Sequence, residues 1–105
     1  MVKPRTGEDV CQTGGMTVSR ADRRASRREG VVAAVGASAA EAALDLLELV
    51  ELAWHDCYGE ITPPEPVIDD ILVLSGGALE GLVAAAHLAV TDWRDARAAA
   101  DALRS

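Results

Sequence analysis

Trp54, His55, Asp56, Cys57 and Tyr58 stand in an unbroken row, the densest run of reactive side chains in the chain. A thiol two residues from an imidazole suggests a nucleophile beside its general base. On a helix, however, residues two apart point about 200° away from each other. Cys57 then falls on an apolar face with Trp54, and His55 falls on an acidic one. A thiol in apolar surroundings behaves as a small hydrophobe rather than a nucleophile. The row therefore reads as the end of a helix that Gly59 stops. Trp54, Cys57 and Tyr58 are expected to pack inward, with His55 and Asp56 in water. No catalytic residue is assigned, and an enzyme is not expected.

Metal chemistry is the next reading. Glu48, Glu51 and His55 share one helical face, with Glu51 and His55 at i, i+4, and Glu80 and His87 share an edge further along. A di-metal helical bundle needs Glu-x-x-His pairs at i, i+3, which this sequence lacks. Neither a metal nor a cofactor is expected. The glycine-rich stretch Leu74–Gly81, LSGGALEG, precedes a helix as a phosphate loop would. It lacks the lysine and serine or threonine of a P-loop, and Glu80 in the first turn would repel an anion. It reads as an interhelical turn.

Arginine is the remaining candidate. Arg20, Arg23, Arg24, Arg27 and Arg28 follow the i, i+3, i+4, i+7, i+8 rule and fall in one helical arc of roughly 140°. Ser19 and Asp22 have the form of a capping box that would start such a helix over about 19–29. With no aromatic residues interleaved, these arginines suit contacts to phosphates rather than stacking on bases. They suit an acidic partner equally, or an acidic face of this chain or of a neighbouring subunit.

Charge distribution sharpens that choice. Residues 1–30 carry seven basic side chains against four acidic ones, whereas residues 31–105 carry three arginines against thirteen carboxylates. The net charge is −7. A basic arm on an acidic body is the strongest long-range pattern in the sequence, although such a body repels nucleic acid. Two cysteines, Cys11 and Cys57, make no disulfide framework. The opening MVKPRTGEDV lacks the apolar core of a signal peptide, and no apolar run approaches a membrane span. A cytoplasmic protein without membrane contact is expected. An Ala, Val, Arg and Asp bias with Lys3 as the single lysine points to a bacterial or phage genome of high GC content.

The elements that position these residues are helical. Half of the residues are hydrophobic, yet there are two tryptophans, one tyrosine and no phenylalanine. Alanine and leucine, strong helix formers, supply most of the apolar content. The periodicity predicts helices over about 38–58, 66–74 and 78–103. Ser38 with Glu41 marks the first start, and the prolines of EITPPEPV separate the first two helices. Along 39–58, Ala43, Leu46, Leu47, Val50, Trp54, Cys57 and Tyr58 share a face, with Glu41, Asp45, Glu48, Glu51, His55 and Asp56 opposite. Asp69 and Asp70 sit near the start of the short helix, where the dipole favours negative charge.

The expected fold class is all-α. Residues 1–30 form a flexible basic arm and residues 31–105 an acidic helical domain. In that domain two long helices pair antiparallel across a short connecting one. Such a pair leaves apolar surface wet, so a homodimeric helical bundle is expected. Leu47, Val50, Trp54, Leu82, Ala86 and Trp93 are the expected packing residues, with Leu52 and Leu88 as outer contacts between subunits. The expected function is protein–protein interaction through acidic helix faces, as an adaptor or regulator. The alternative is nucleic-acid binding through the arginine arm.

Overall fold

The computed structural model describes residues 19–105. Among them the fold is all-helical: α1 (Arg20–Val35), a short 3-10 turn (Ala37–Ala39), α2 (Ala40–Tyr58), α3 (Glu65–Leu74), α4 (Leu79–Thr91) and α5 (Trp93–Arg104). None of these helices is long and apolar enough to cross a membrane.

Ser19 caps α1 as its spacing predicts, its hydroxyl accepting from the Asp22 amide at 3.1 Å. The helix then continues through Gly30, where the arm was expected to end, and stops at Gly36, whose φ of 92° few other residues adopt. Val31, fully buried, and Arg27 tie α1 to the body. Residues 20–30 are therefore a docked helix and not part of a free arm. Residues 1–18, the rest of that expected arm, lie outside the described residues. Ser38 does not cap α2, because the 3-10 turn delivers the chain into it with Ala39 at the cap position and no side-chain bond.

Gly59, in the left-handed conformation at φ 74°, ends α2 and donates to the His55 carbonyl. Pro66 sits in the first turn of α3, where its missing N–H costs nothing. The single helix expected over 78–103 is two helices. At Asp92 the backbone is extended, and the Asp92 carboxylate accepts from the Arg94 amide at 3.0 Å to start α5. Short polar side chains compete with the helical ladder in this way. The break lets α5 turn back onto α3 as well as α4, while α2 packs between α1 and α4. The antiparallel pair of long helices is thus replaced by five shorter helices.

The core is aliphatic. Leu44, Leu47, Ile68, Ile71 and Leu82 are its largest fully buried apolar side chains, each contributing about 1.5–3 kcal/mol by burial. Ala85, Ala86 and Ala89 on α4 and Ala96 and Ala100 on α5 are buried too, which brings these helices close. Asp70, expected to serve the dipole near the start of the short helix, is 1% exposed. It accepts from Arg104 at 2.8 Å and faces Arg97 at 3.7 Å, so it ties α3 to α5.

Tight packing also explains the glycines of LSGGALEG. Gly76 and Gly77 have φ of 65° and 87° and make the turn itself. Gly81 is needed for space, because a Cβ there would overlap the Ser75 carbonyl. Alanine is intrinsically the better helix former by about 1 kcal/mol, but here it must push backbone apart. Gly81→Ala is expected to lose about 1–3 kcal/mol of stability, read as a lower urea midpoint with an unchanged slope. A variant as stable as the native chain would show that this turn yields freely.

Candidate interaction surfaces

Three places bring polar or exposed apolar side chains together. The first joins α1 to α2. Arg23 grips Glu51 with both arms, Nε to Oε2 at 2.6 Å and Nη2 to Oε1 at 3.0 Å. Arg27 Nη1 donates to Glu51 Oε2 at 2.7 Å. The Thr62 hydroxyl donates to that same oxygen at 3.0 Å and accepts from Arg27 Nη2 at 3.0 Å. Arg27 also reaches Glu65 at 3.0 Å. Glu51 was expected on the solvated acidic face; it is 2% exposed. Burial alone would push its carboxyl up, but the bonds from Arg23, Arg27 and Thr62 outweigh burial and hold it below the usual glutamate range.

The pairing continues outward. Arg24 donates to Glu48 at 2.6 Å, Asp45 at 2.8 Å and Glu41 at 2.9 Å, and Arg28 pairs with Glu41. Hydrogen bonds from Arg28 and then Arg24 lower the Glu41 carboxyl. Glu41 and Asp45 are open to solvent, so these outer pairs are screened and weak beside the buried one. Four of the five arginines expected to reach a partner are therefore engaged by this chain's own carboxylates. Arg20 alone of the five has no ion pair among the described residues. Glu51 on the acidic face of α2 is buried beneath α1, whereas Glu41 and Asp45 pair with its arginines and stay exposed.

The second place is an apolar groove between α2 and α4, lined by Leu46, Leu49, Val50, Ala53, Val83, Ala86, His87 and Val90. Leu49 is 61% exposed and Val83 51%. Sequence reasoning overlooked Leu49. The signal was the pair Leu46 and Leu49 at i, i+3, a second apolar edge on α2 beside the one facing the core. Leu47, Val50, Trp54, Leu82 and Ala86 are buried. Leu88 is half-buried against the core. Leu52 is exposed, but it borders Arg20, Arg23, His55 and Ile61 on another side of α2.

The third place is a cleft of about 410 Å³ between the end of α2, the proline segment and α5, lined by Trp54, Tyr58, Glu60, Pro64, Pro66, Val67, Trp93 and Arg97. Trp54 is buried, whereas Trp93 and Tyr58, expected inside, are exposed by 37% and 39%. The Asp92 break turns Trp93 out of the line of α4. Tyr58 lies beyond the last buried turn of α2, and its hydroxyl donates to the Val90 carbonyl at 3.0 Å. Cys57, also expected to pack inward, is exposed for the same reason. His55 is exposed as well.

Among the described residues no three His, Cys, Asp or Glu side chains group closely enough to hold a metal ion. Neither family models, curated proteins nor solved structures match the chain.

Glu51→Gln keeps the side-chain shape but removes the buried anion shared by Arg23 and Arg27, leaving Arg27, whose side chain is 5% exposed, with the outlying Glu65 as its counter-charge. The expected loss at neutral pH is about 3–5 kcal/mol. Because the folded-state pKa of Glu51 lies below the ordinary value of about 4.3, its stabilisation is whole above that value. It fades as pH falls through the depressed one. Urea melts should show a constant gap between native chain and variant from about pH 8 to about pH 5, closing below about pH 4. A small gap already at neutral pH would mean that the buried pair is dispensable.

Proposed function

We propose that this protein is a non-catalytic helical interaction module, an adaptor or regulator, that presents the α2–α4 groove to a partner protein. The supporting observation is Leu49 and Val83, both more than half exposed, lining one apolar surface with the small Ala53 and Ala86. Contiguous exposed apolar surface of this kind marks interaction sites. The groove offers large knobs together with alanine-sized holes. A surface that carries both suits a second copy of itself, since a two-fold contact sets the same patch on each side. The first partner proposed is therefore another copy of this chain. Contact through the acidic face of α2, by contrast, would have to compete with the arginines of α1 for Glu41, Asp45 and Glu48. Binding of nucleic acid through the arginines would have to break four sets of ion pairs.

Size-exclusion chromatography with light scattering tests this reading on the full chain and on the double variant Leu49→Glu, Val83→Glu. A dimer for the native chain and a monomer of unchanged helical content for the variant are expected. A native monomer would remove the second copy as partner. A dimer that survives the double substitution would place the contact elsewhere.

A further inference from the structure

The chain owns three aromatic side chains, two tryptophans and one tyrosine, and all three line the cleft between α2, the proline segment and α5. Everywhere else the described core is aliphatic. Trp54 is the buried floor, with the Tyr58 ring 4.3 Å away between centroids. Trp93 lines the same cleft from the start of α5, as do Pro64 and Pro66, whose ring-fixed backbone is set before any ligand arrives. The volume, about 410 Å³, is in the range of small-molecule sites.

The polar groups of the cleft differ in what they leave open. Glu60 is engaged, accepting from Trp54 Nε1 at 2.8 Å. Arg97 Nε stands 3.7 Å from Asp70 and 4.0 Å from Asp101, beyond hydrogen-bond distance. Asp70 meanwhile accepts from Arg104 at 2.8 Å. The Arg97 guanidinium makes no hydrogen bond among the described residues, and neither does the Trp93 indole N–H. A second guanidinium, that of Arg94, lies 5.6 Å from the centroid of the Trp93 ring. The open hydrogen-bonding capacity of the α5 side is thus donor in character, on a guanidinium whose charge is shared with Asp70 and Asp101 at long range, beside flat apolar walls.

We infer that this cleft binds a small aromatic acid, its ring between Trp54 and Trp93 and its carboxylate on Arg97. A planar ring gains from offset or edge contact with indole, and a guanidinium fork matches a carboxylate. This site is separate from the α2–α4 groove, so occupying it does not require a partner protein.

The test is a titration of the full chain with naphthoate, following the two indole N–H signals by NMR. Naphthylmethylamine and naphthylmethanol serve as the cationic and neutral counterparts. Naphthoate should shift the Trp93 signal saturably, with a Kd below about 1 mM. The amine should bind at least about tenfold more weakly, and Arg97→Met should weaken naphthoate by about tenfold or more. The proposal is overturned by the absence of a saturable shift. It is equally overturned by an amine that binds as well as the acid, which would make Glu60 the dominant charge, or by full affinity in a folded Arg97→Met. The acid–amine comparison uses the native chain alone and decides the question even if that variant fails to fold.

Discussion

One carboxylate organises the amino-terminal half of this fold. Glu51 points from α2 into the space where α1 crosses it, and there it collects two guanidinium groups and a threonine hydroxyl. The groups come from three stretches of chain: Arg23 and Arg27 from α1, Glu51 from α2, and Thr62 from the segment leading into α3. Apolar burial between α1 and the body is slight, with Val31 as the fully buried apolar side chain of that helix. Dispersion alone would leave the helix free to slide or rotate. A buried ion pair adds little net stability over an apolar substitute, but it penalises every arrangement in which its partners do not meet. In α1 it supplies position where the small side chains cannot.

The other half solves the same problem with shape. Rows of alanine on α4 and α5, and glycine at position 81, let backbones approach until no other arrangement fits. Asp70 adds a polar tie to α5 through Arg104, where the carboxylate raises the guanidinium further above its ordinary pKa. The two halves meet on α2, which faces arginine on one side and alanine-rich α4 on the other.

Much of this was legible in the sequence. The Ser19 cap, the stop at Gly59, the proline break and the glycine turn follow from backbone chemistry that depends on neighbours only a few residues away. What escaped required knowledge of distant neighbours. Glu51 carries the same i, i+4 signature as the solvated acids around it, and only the arrival of α1 makes it a buried anchor. Asp92 was hidden because an aspartate inside a periodic run tolerates a helix as well as it ends one. Missing that break moved Trp93 from the surface to the expected core, and the aromatic cleft went unseen with it. Cys57 and Tyr58 keep the apolar spacing one turn beyond where the packing stops, and periodicity carries no information about where a neighbour ends.

The docking of α1 also changes how the molecule looks from a distance. Read along the chain, it is a cationic segment joined to an anionic one, which if held apart would make a large electric dipole. In the fold those charges lie within about 3 Å of one another in Arg23, Arg24 and Arg27 and their carboxylates. Opposite charges so close cancel over any separation greater than the Debye length, about 8 Å in physiological salt. The surplus carboxylates of the body remain, so among the described residues the charge seen from a distance is mainly negative. Long-range attraction then favours cationic visitors, while Arg23, Arg24 and Arg27 act across atomic contact.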